Sequence, residues 1–215
     1  MCGIKLLING KKFRLLQNIF PPIKTTRKGT LPSTIIMMDE TRLKKISPPL
    51  TSLGRNVAII VRAKNKLIRQ QTLNNLMENF KKRQFKILVS DDFALAKLAD
   101  GLHIPENRLK QGAAMWRRFR PLLGLVTTSA HSSEAIQRAS KWGVDGIIVS
   151  PVFQTISHPD KPSLGLLRFA RLCHKNKSPI IALGGVKLKH ARILRKAGAV
   201  GICGTGIFLP DKKIK

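Results

Sequence analysis

From Ser33 onward, short β-branched runs alternate with stretches whose apolar residues recur at helical spacing. Eight runs carry the strand pattern: Thr34–Met38, Val57–Val61, Phe85–Val89, Gly101–Ile104, Leu122–Val126, Gly146–Val149, Ile180–Leu183 and Val200–Cys203. Each is nearly apolar throughout, as strands covered on both faces must be, and this indicates a parallel sheet. Between them, Leu67–Lys82, Ser132–Trp142, Leu164–Lys175 and Leu188–Ala197 place apolar residues at i, i+3, i+4 and i+7, which predicts helices with one buried face. Ala113–Phe119 is a weaker helical stretch, and Phe93–Leu98 spans barely two turns. Ser132 offers an N-cap with Glu134 in the first turn, while Gly198 stands where a glycine ends a helix. Pro48-Pro49 within Arg42–Gly54 predicts that the first crossover is a short helix or a loop.

Eight strands with crossover helices predict a single compact (β/α)8 TIM barrel over residues 33–215. An open doubly wound sheet would show the same alternation. The count of eight favours closure, as do the glycine turns after the last two runs, because phosphate-binding barrels hold their anion after the seventh and eighth strands. Gly204–Gly206 lacks the further glycine and the acid of a dinucleotide fingerprint. Residues 1–32 mix basic residues with Leu, Ile and Phe and read as a basic N-terminal extension that packs loosely. Its lack of acids also suits an organelle transit peptide, which ranks second to a plain extension.

With 215 residues, 43% of them apolar, the chain can furnish one continuous core, and no apolar run reaches the ~18 residues of a membrane span. Cys2, Cys173 and Cys203 are an odd set with no C-x-x-C pair, which argues against a disulfide framework or a thiolate zinc site and leads us to expect a cytoplasmic protein. The charge is the outlier: 40 Lys and Arg against 11 Asp and Glu give +29, of which seven cations and no acid lie in residues 1–38. Such a field attracts anions of every kind. With no Tyr, two Trp and nine Phe, a stacking platform for single strands is poorly supplied, so only non-specific adhesion to nucleic acid is expected.

In a barrel, chemistry gathers at the carboxyl ends of the strands. There the second run leads into Arg62-Ala63-Lys64, the third into Ser90-Asp91-Asp92 and the fifth into Thr127-Thr128-Ser129-Ala130-His131. The sixth leads into Ser150–His158, the seventh into Gly184-Gly185-Val186 and the eighth into Gly204-Thr205-Gly206. Two cations, a carboxylate pair, several hydroxyls and two glycine turns suit a ligand that bears phosphate and pyrophosphate. Arg62 and Lys64, two apart on an extended chain, point the same way and can neutralise several oxygens, although two cations among forty also read as ordinary solvated charge. The glycine turns let backbone N–H groups approach an anion at the start of a helix, or serve only as tight turns. Asp91 is a candidate for Mg2+ held by one carboxylate plus substrate oxygens, whereas Asp92 is better placed to cap the helix at Phe93. His103, in an apolar strand, reads as a core or loop-packing histidine, and Cys203 as a small buried hydrophobe. His174 and His190 lie on predicted helices and are given no function.

Five blocks in residues 129–208, namely Ser129–Ala135, Gly143–Gly146, Ser150–Thr155, Pro179–Val186 and Ala197–Ala199, resemble the thiamine phosphate synthase and thiazole tautomerase superfamily in order and spacing. Arg62-Ala63-Lys64 stands where that superfamily has Arg-x-Lys, and Ser90-Asp91-Asp92 where it has Asn-Asp. The resemblance implies a TIM-barrel transferase of thiamine biosynthesis. It would join hydroxymethylpyrimidine pyrophosphate to thiazole phosphate, release pyrophosphate and make thiamine phosphate, with Mg2+ assisting. Carried over by position, Arg62, Lys64 and Ser129 would bind the pyrophosphate and Asp91 the metal. Thr155 and Ser157 would hold the thiazole phosphate, helped by backbone around Gly184, Gly185 and Gly204-Thr205-Gly206. The expected partners are small phosphorylated precursors and no membrane, with self-association left open.

Three positions depart from that pattern. After the fourth run, Ile104-Pro105-Glu106-Asn107-Arg108 puts Arg108 where the resemblance implies a second metal carboxylate, so either Glu106 swings in or Arg108 supplies the charge outright. Ser90 replaces the Asn, and His158 replaces a Lys expected to donate to pyrophosphate. These departures suit the tautomerase branch, which needs neither a pyrophosphate leaving group nor a metal and uses a histidine for proton transfer. His131 is the candidate for that role, or else it orients its loop. A non-catalytic barrel that binds a phosphorylated ligand, or nucleic acid through its charge, is the reading from another class.

Overall fold

In a computed structural model that describes residues 10–24, 29–39, 53–82, 84–110, 118–155, 160, 162–205 and 207, the apolar runs become the parallel strands of a closed barrel. A short antiparallel pair, β1 (Ile23–Lys24) with β2 (Thr30–Leu31), precedes it. The barrel strands are β3 (Thr34–Asp39), β4 (Val57–Arg62), β5 (Lys86–Ser90), β6 (Gly101–Ile104), β7 (Leu125–Ala130), β8 (Gly146–Val149), β9 (Ile180–Ala182) and β10 (Gly201–Gly204). Each pairs with its neighbour in sequence, and β10 closes onto β3 with Ile202 opposite Thr34 and Gly204 opposite Ile36.

The described helices are α1 (Gly10–Ile19), α2 (Lys66–Asn79), α3 (Phe93–Ala96), α4 (Ser133–Lys141), α5 (Gly165–Lys175) and α6 (Ala191–Lys196). Ser132 caps α4, its hydroxyl accepting from the Ala135 N–H at 3.2 Å, as the sequence predicts. The stretch expected as one helix over Leu188–Ala197 divides into a 3-10 turn at Leu188–His190 and then α6. Most of the expected segments 42–54 and 113–119 lies outside the described residues.

Strand alternation sorts the core into two shells. Ile35, Met37, Ala58, Ile60, Leu88, Leu125, Ile148, Ile181 and Cys203 fill the interior, while the residues between them face the helices. The fifth strand is displaced from its expected span. Arg120–Leu122, with Pro121 near its start, forms a 3-10 turn, and β7 begins only at Leu125. That shift draws Thr127, Thr128 and Ser129 into the strand itself.

The N-terminal segment departs from the loose extension expected of it. α1 buries Phe13 and Leu16, and Phe20 follows fully buried. The Phe20 carbonyl accepts from the Ser33 hydroxyl (2.7 Å) and from Asn56 Nδ2 (2.9 Å), pinning the segment to the amino-terminal ends of β3 and β4. Leu31 enters the interior cluster from below and lies against Gly146, where a Cβ would stand 3.0 Å from its Cδ2. Basic residues on the outer side of an amphipathic helix had hidden this packing face. A buried ion pair braces the same end: Arg120 Nη2 donates to Asp145 Oδ2 at 2.7 Å, and that oxygen also accepts from the Val126 N–H at 2.8 Å. Among the described residues no helix is long and apolar enough to cross a membrane.

Candidate active site

The inward parity of the strands continues to their carboxyl ends, where the interior turns from apolar to polar. Arg62 follows Ala58 and Ile60 on β4, Ser90 follows Leu88 on β5, and Ser129 follows Leu125 and Thr127 on β7. His103, on β6, is 2% exposed and bridges this ring. Its Nδ1 lies 2.9 Å from Thr127 Oγ1 and its Nε2 lies 2.9 Å from Ser129 Oγ. Burial, aided by the Arg62 guanidinium, pushes its pKa down to about 3. A neutral imidazole donates through one nitrogen and accepts through the other, so His103 couples the two hydroxyls in a fixed polarity. His103 is a buried packing histidine, as its apolar strand leads one to expect, while its bridge between the two hydroxyls is not legible in the sequence because the apolar neighbours mask a parity shared with Ser129.

That burial has a measurable consequence. The unfolded chain takes up a proton on His103 near pH 6.5, while the folded chain resists it until about pH 3. The His103 contribution to stability is therefore whole above pH 6.5 and is lost as the pH falls through that window. His103→Gln should flatten the acid limb of a plot of urea midpoint against pH. An acid limb of equal slope in variant and parent would contradict the assignment.

Asp91, the expected metal ligand, adopts φ 55°, a left-handed conformation that Asp tolerates better than most residues. Its N–H donates to the His103 carbonyl at 3.0 Å. Its carboxylate is gripped by Arg108: Nε donates to Oδ1 at 2.8 Å and Nη2 to Oδ2 at 3.2 Å. The fork in turn raises the Arg108 pKa. Asp92 caps α3, accepting from the Leu95 N–H at 3.1 Å, and pairs with Arg69 at 3.4 Å. Arg69 is itself buried and clasps the Ala63 carbonyl through Nε (3.1 Å) and Nη2 (2.6 Å), tying the loop after β4 to the loop after β5.

Glu106 does not turn toward Asp91. It accepts the His131 N–H at 2.7 Å and lies 3.8 Å from His131 Nε2. His131 Nδ1 lies 2.7 Å from the Ser150 carbonyl. A carbonyl only accepts, so Nδ1 carries the proton and Nε2 is the nitrogen left to exchange one. The three carboxylates Asp91, Asp92 and Glu106 are thus all engaged by protein donors, and among the described residues no three His, Cys, Asp or Glu gather to hold a metal. With both of its oxygens accepting from Arg108, Asp91 as it stands turns no free carboxylate oxygen toward the Mg2+ expected there, and its carboxylate fits a guanidinium in place of that ion.

On the far side of the mouth, the loop after β8 lies against the turn after β9. A Cβ on Gly184 would stand 3.4 Å from Thr155 Cγ2, and one on Gly185 would stand 2.3 Å from the Gln154 carbonyl oxygen. Gly185 also has φ +62°, so only glycine fits this approach. Thr205 is buried and its hydroxyl donates to the Met37 carbonyl at 2.5 Å, which makes it a brace for the turn after β10 beside Gly204. Lys64 is exposed just past Arg62. The expected ligands Ser157, His158 and Gly206 lie outside the described residues. Burial pushes the Cys203 thiol up and out of nucleophilic use.

The family model described as thiamine monophosphate synthase matches residues 38–206. The chain belongs to the thiamine monophosphate synthase family. Membership places it among enzymes. A relative from Aquifex aeolicus (strain VF5), provisionally named a second thiamine-phosphate synthase, is 37% identical over 131 residues, covering 60% of this chain and 69% of that one. The thiamine-phosphate synthase of Coprothermobacter proteolyticus is 32% identical over 62% of this chain and 64% of its own length. That of Syntrophomonas wolfei subsp. wolfei is 35% identical over 54% of this chain and 56% of its own. Among solved structures, a thiamine phosphate pyrophosphorylase from Pyrococcus furiosus superposes with a TM-score of 0.61 at 20% identity, covering 80% of this chain and 84% of that one. At that identity the likeness supports the barrel alone.

Proposed function

We propose that the chain is a thiamine phosphate synthase-like transferase that joins hydroxymethylpyrimidine pyrophosphate to thiazole phosphate. What supports this reading is that Arg62, Lys64 and the Ser129 hydroxyl, together with the glycine turns at Gly184, Gly185 and Gly204, lie at or just past the carboxyl ends of strands in one closed parallel barrel and so share one rim. Two anion stations suit two phosphorylated substrates. In the reaction the bond from the pyrimidine methylene carbon to the diphosphate oxygen breaks and its electron pair leaves on pyrophosphate. The thiazole nitrogen lone pair then forms the new C–N bond. Arg62 and Lys64 neutralise the charge that gathers on the departing oxygens, and the Ser129 hydroxyl, held by His103, donates to them. Thr155 and backbone N–H groups of the glycine turns hold the thiazole phosphate in line. Ser157, His158 and Gly206 belong to this reading by resemblance.

Incubating the protein with both precursors, with and without Mg2+, should yield the joined product. Arg62→Ala should lower kcat/KM by about ten- to a hundredfold, the usual cost of losing hydrogen bonds to a charged group. Equal rates in variant and parent would remove Arg62 from the site. A second reading, thiazole tautomerase, is favoured by the tautomer of His131 and its neighbour Glu106. It predicts isomerisation of a thiazole phosphate alone, abolished in His131→Asn.

A further inference from the structure

We propose that Arg108 stands in for a divalent cation at this mouth, so that a diphosphate group is held there without Mg2+. The inference rests on the proposed function only for the identity of that group. Both oxygens of Asp91 are taken by the Arg108 fork, at 2.8 and 3.2 Å. The pair is neutral, as two carboxylates around a divalent ion would be, and it therefore leaves the positive field of Arg62 and Lys64 undiminished. Guanidinium does not lose its proton near neutral pH, so the charge it supplies does not vary there. A metal arriving at Asp91 would have to displace Arg108 and then lie beside it, against like-charge repulsion.

The surroundings hold Asp91 to this arrangement. Its N–H is anchored on the His103 carbonyl, and Arg69 Nη1 reaches the Asp91 carbonyl at 3.5 Å from behind. Glu106, the carboxylate that follows β6, is turned toward His131. Arg108 is thus a positioning residue. It cancels Asp91, whose bare charge would repel a diphosphate.

The test reads metal occupancy and anion affinity separately on the full chain. Mn2+ is the paramagnetic probe and inorganic pyrophosphate the ligand. The parent should leave the free Mn2+ signal unchanged and should bind pyrophosphate as tightly in EDTA as in Mg2+. Arg108→Asp should deplete the Mn2+ signal and bind pyrophosphate only with metal. Arg108→Ala should lose about tenfold or more in EDTA, the scale of one charged contact, with recovery in Asp91→Asn/Arg108→Ala. A parent that binds pyrophosphate only with metal overturns the proposal, and that measurement needs no variant. Coupling of the two precursors that appears only with Mg2+ would also overturn it and leave the proposed function standing. EDTA-resistant, Arg108-dependent binding without any coupling would support it while removing that function.

Discussion

Asp145→Ala is expected to cost about 3–5 kcal/mol of folding stability, the scale of breaking a buried ion pair from one side. Domains of this kind have only roughly 5–15 kcal/mol to lose. The reason is local. Arg120 and Asp145 side chains are 4% and 3% exposed, so removing the carboxylate leaves a buried guanidinium without this counter-charge, although it keeps its bonds to the Leu123 and Gly124 carbonyls. The Asp145 carboxylate also accepts from the Val126 N–H, so the start of β7 loses an anchor. Asp145→Asn keeps an acceptor for Val126 and should fall between the two. Urea denaturation at constant ionic strength measures both. A loss for the alanine variant within about 1 kcal/mol, as for an exposed pair, would show that the interior accommodates the bare cation.

Gly185→Ala is expected to lower turnover about a hundredfold, the cost of a misplacement near 1 Å in a positioned site. Its Cβ would lie 2.3 Å from the Gln154 carbonyl oxygen and 2.7 Å from the Phe153 carbonyl carbon, and these are backbone atoms that cannot rotate away. The loop carrying Thr155 must move instead. Gly143 is the control, because its φ of +65° imposes the same backbone cost on alanine but nothing lies within 4 Å of its Cβ. Gly143→Ala should lose about 1–2 kcal/mol of stability from the left-handed residue and keep its turnover, whereas Gly185→Ala, which adds the clash, should lose more stability and turnover as well. Steady-state kinetics on the two, alongside thermal melts, separate strain from displacement. Equal activity would mean that the turn does not position the ligand.

What could be read from the sequence followed from periodicity and from blocks of contiguous residues. The apolar runs at Gly101–Ile104 and Gly146–Val149 recur unchanged as β6 and β8, because runs this short between turn residues are too brief for a buried helix and suit strands covered on both faces. The polar residues after the runs were legible for the same reason, since strand ends in a barrel share one rim. Contacts across distance were not. The resemblance puts Arg108 where a second metal carboxylate is expected but leaves open whether it or Glu106 meets Asp91, and no local pattern decides between them across 17 residues. Arg69 sits on a helix three residues after Lys66 and looks like solvated charge until its bonds to Ala63 are seen. Phe13 and Leu16 were obscured by the Lys and Arg around them, which burial of one helix face makes irrelevant.

Closure of the cylinder joins parts of the chain made far apart in time. The Thr205 hydroxyl meets the Met37 carbonyl across 168 residues, and β10 completes the register with β3. During synthesis, β3 and β9 therefore emerge with raw edges that nothing can pair until the last strand leaves the ribosome. A transcript cut short ahead of Gly201 would produce an open, sticky sheet prone to self-association, and no smaller working barrel.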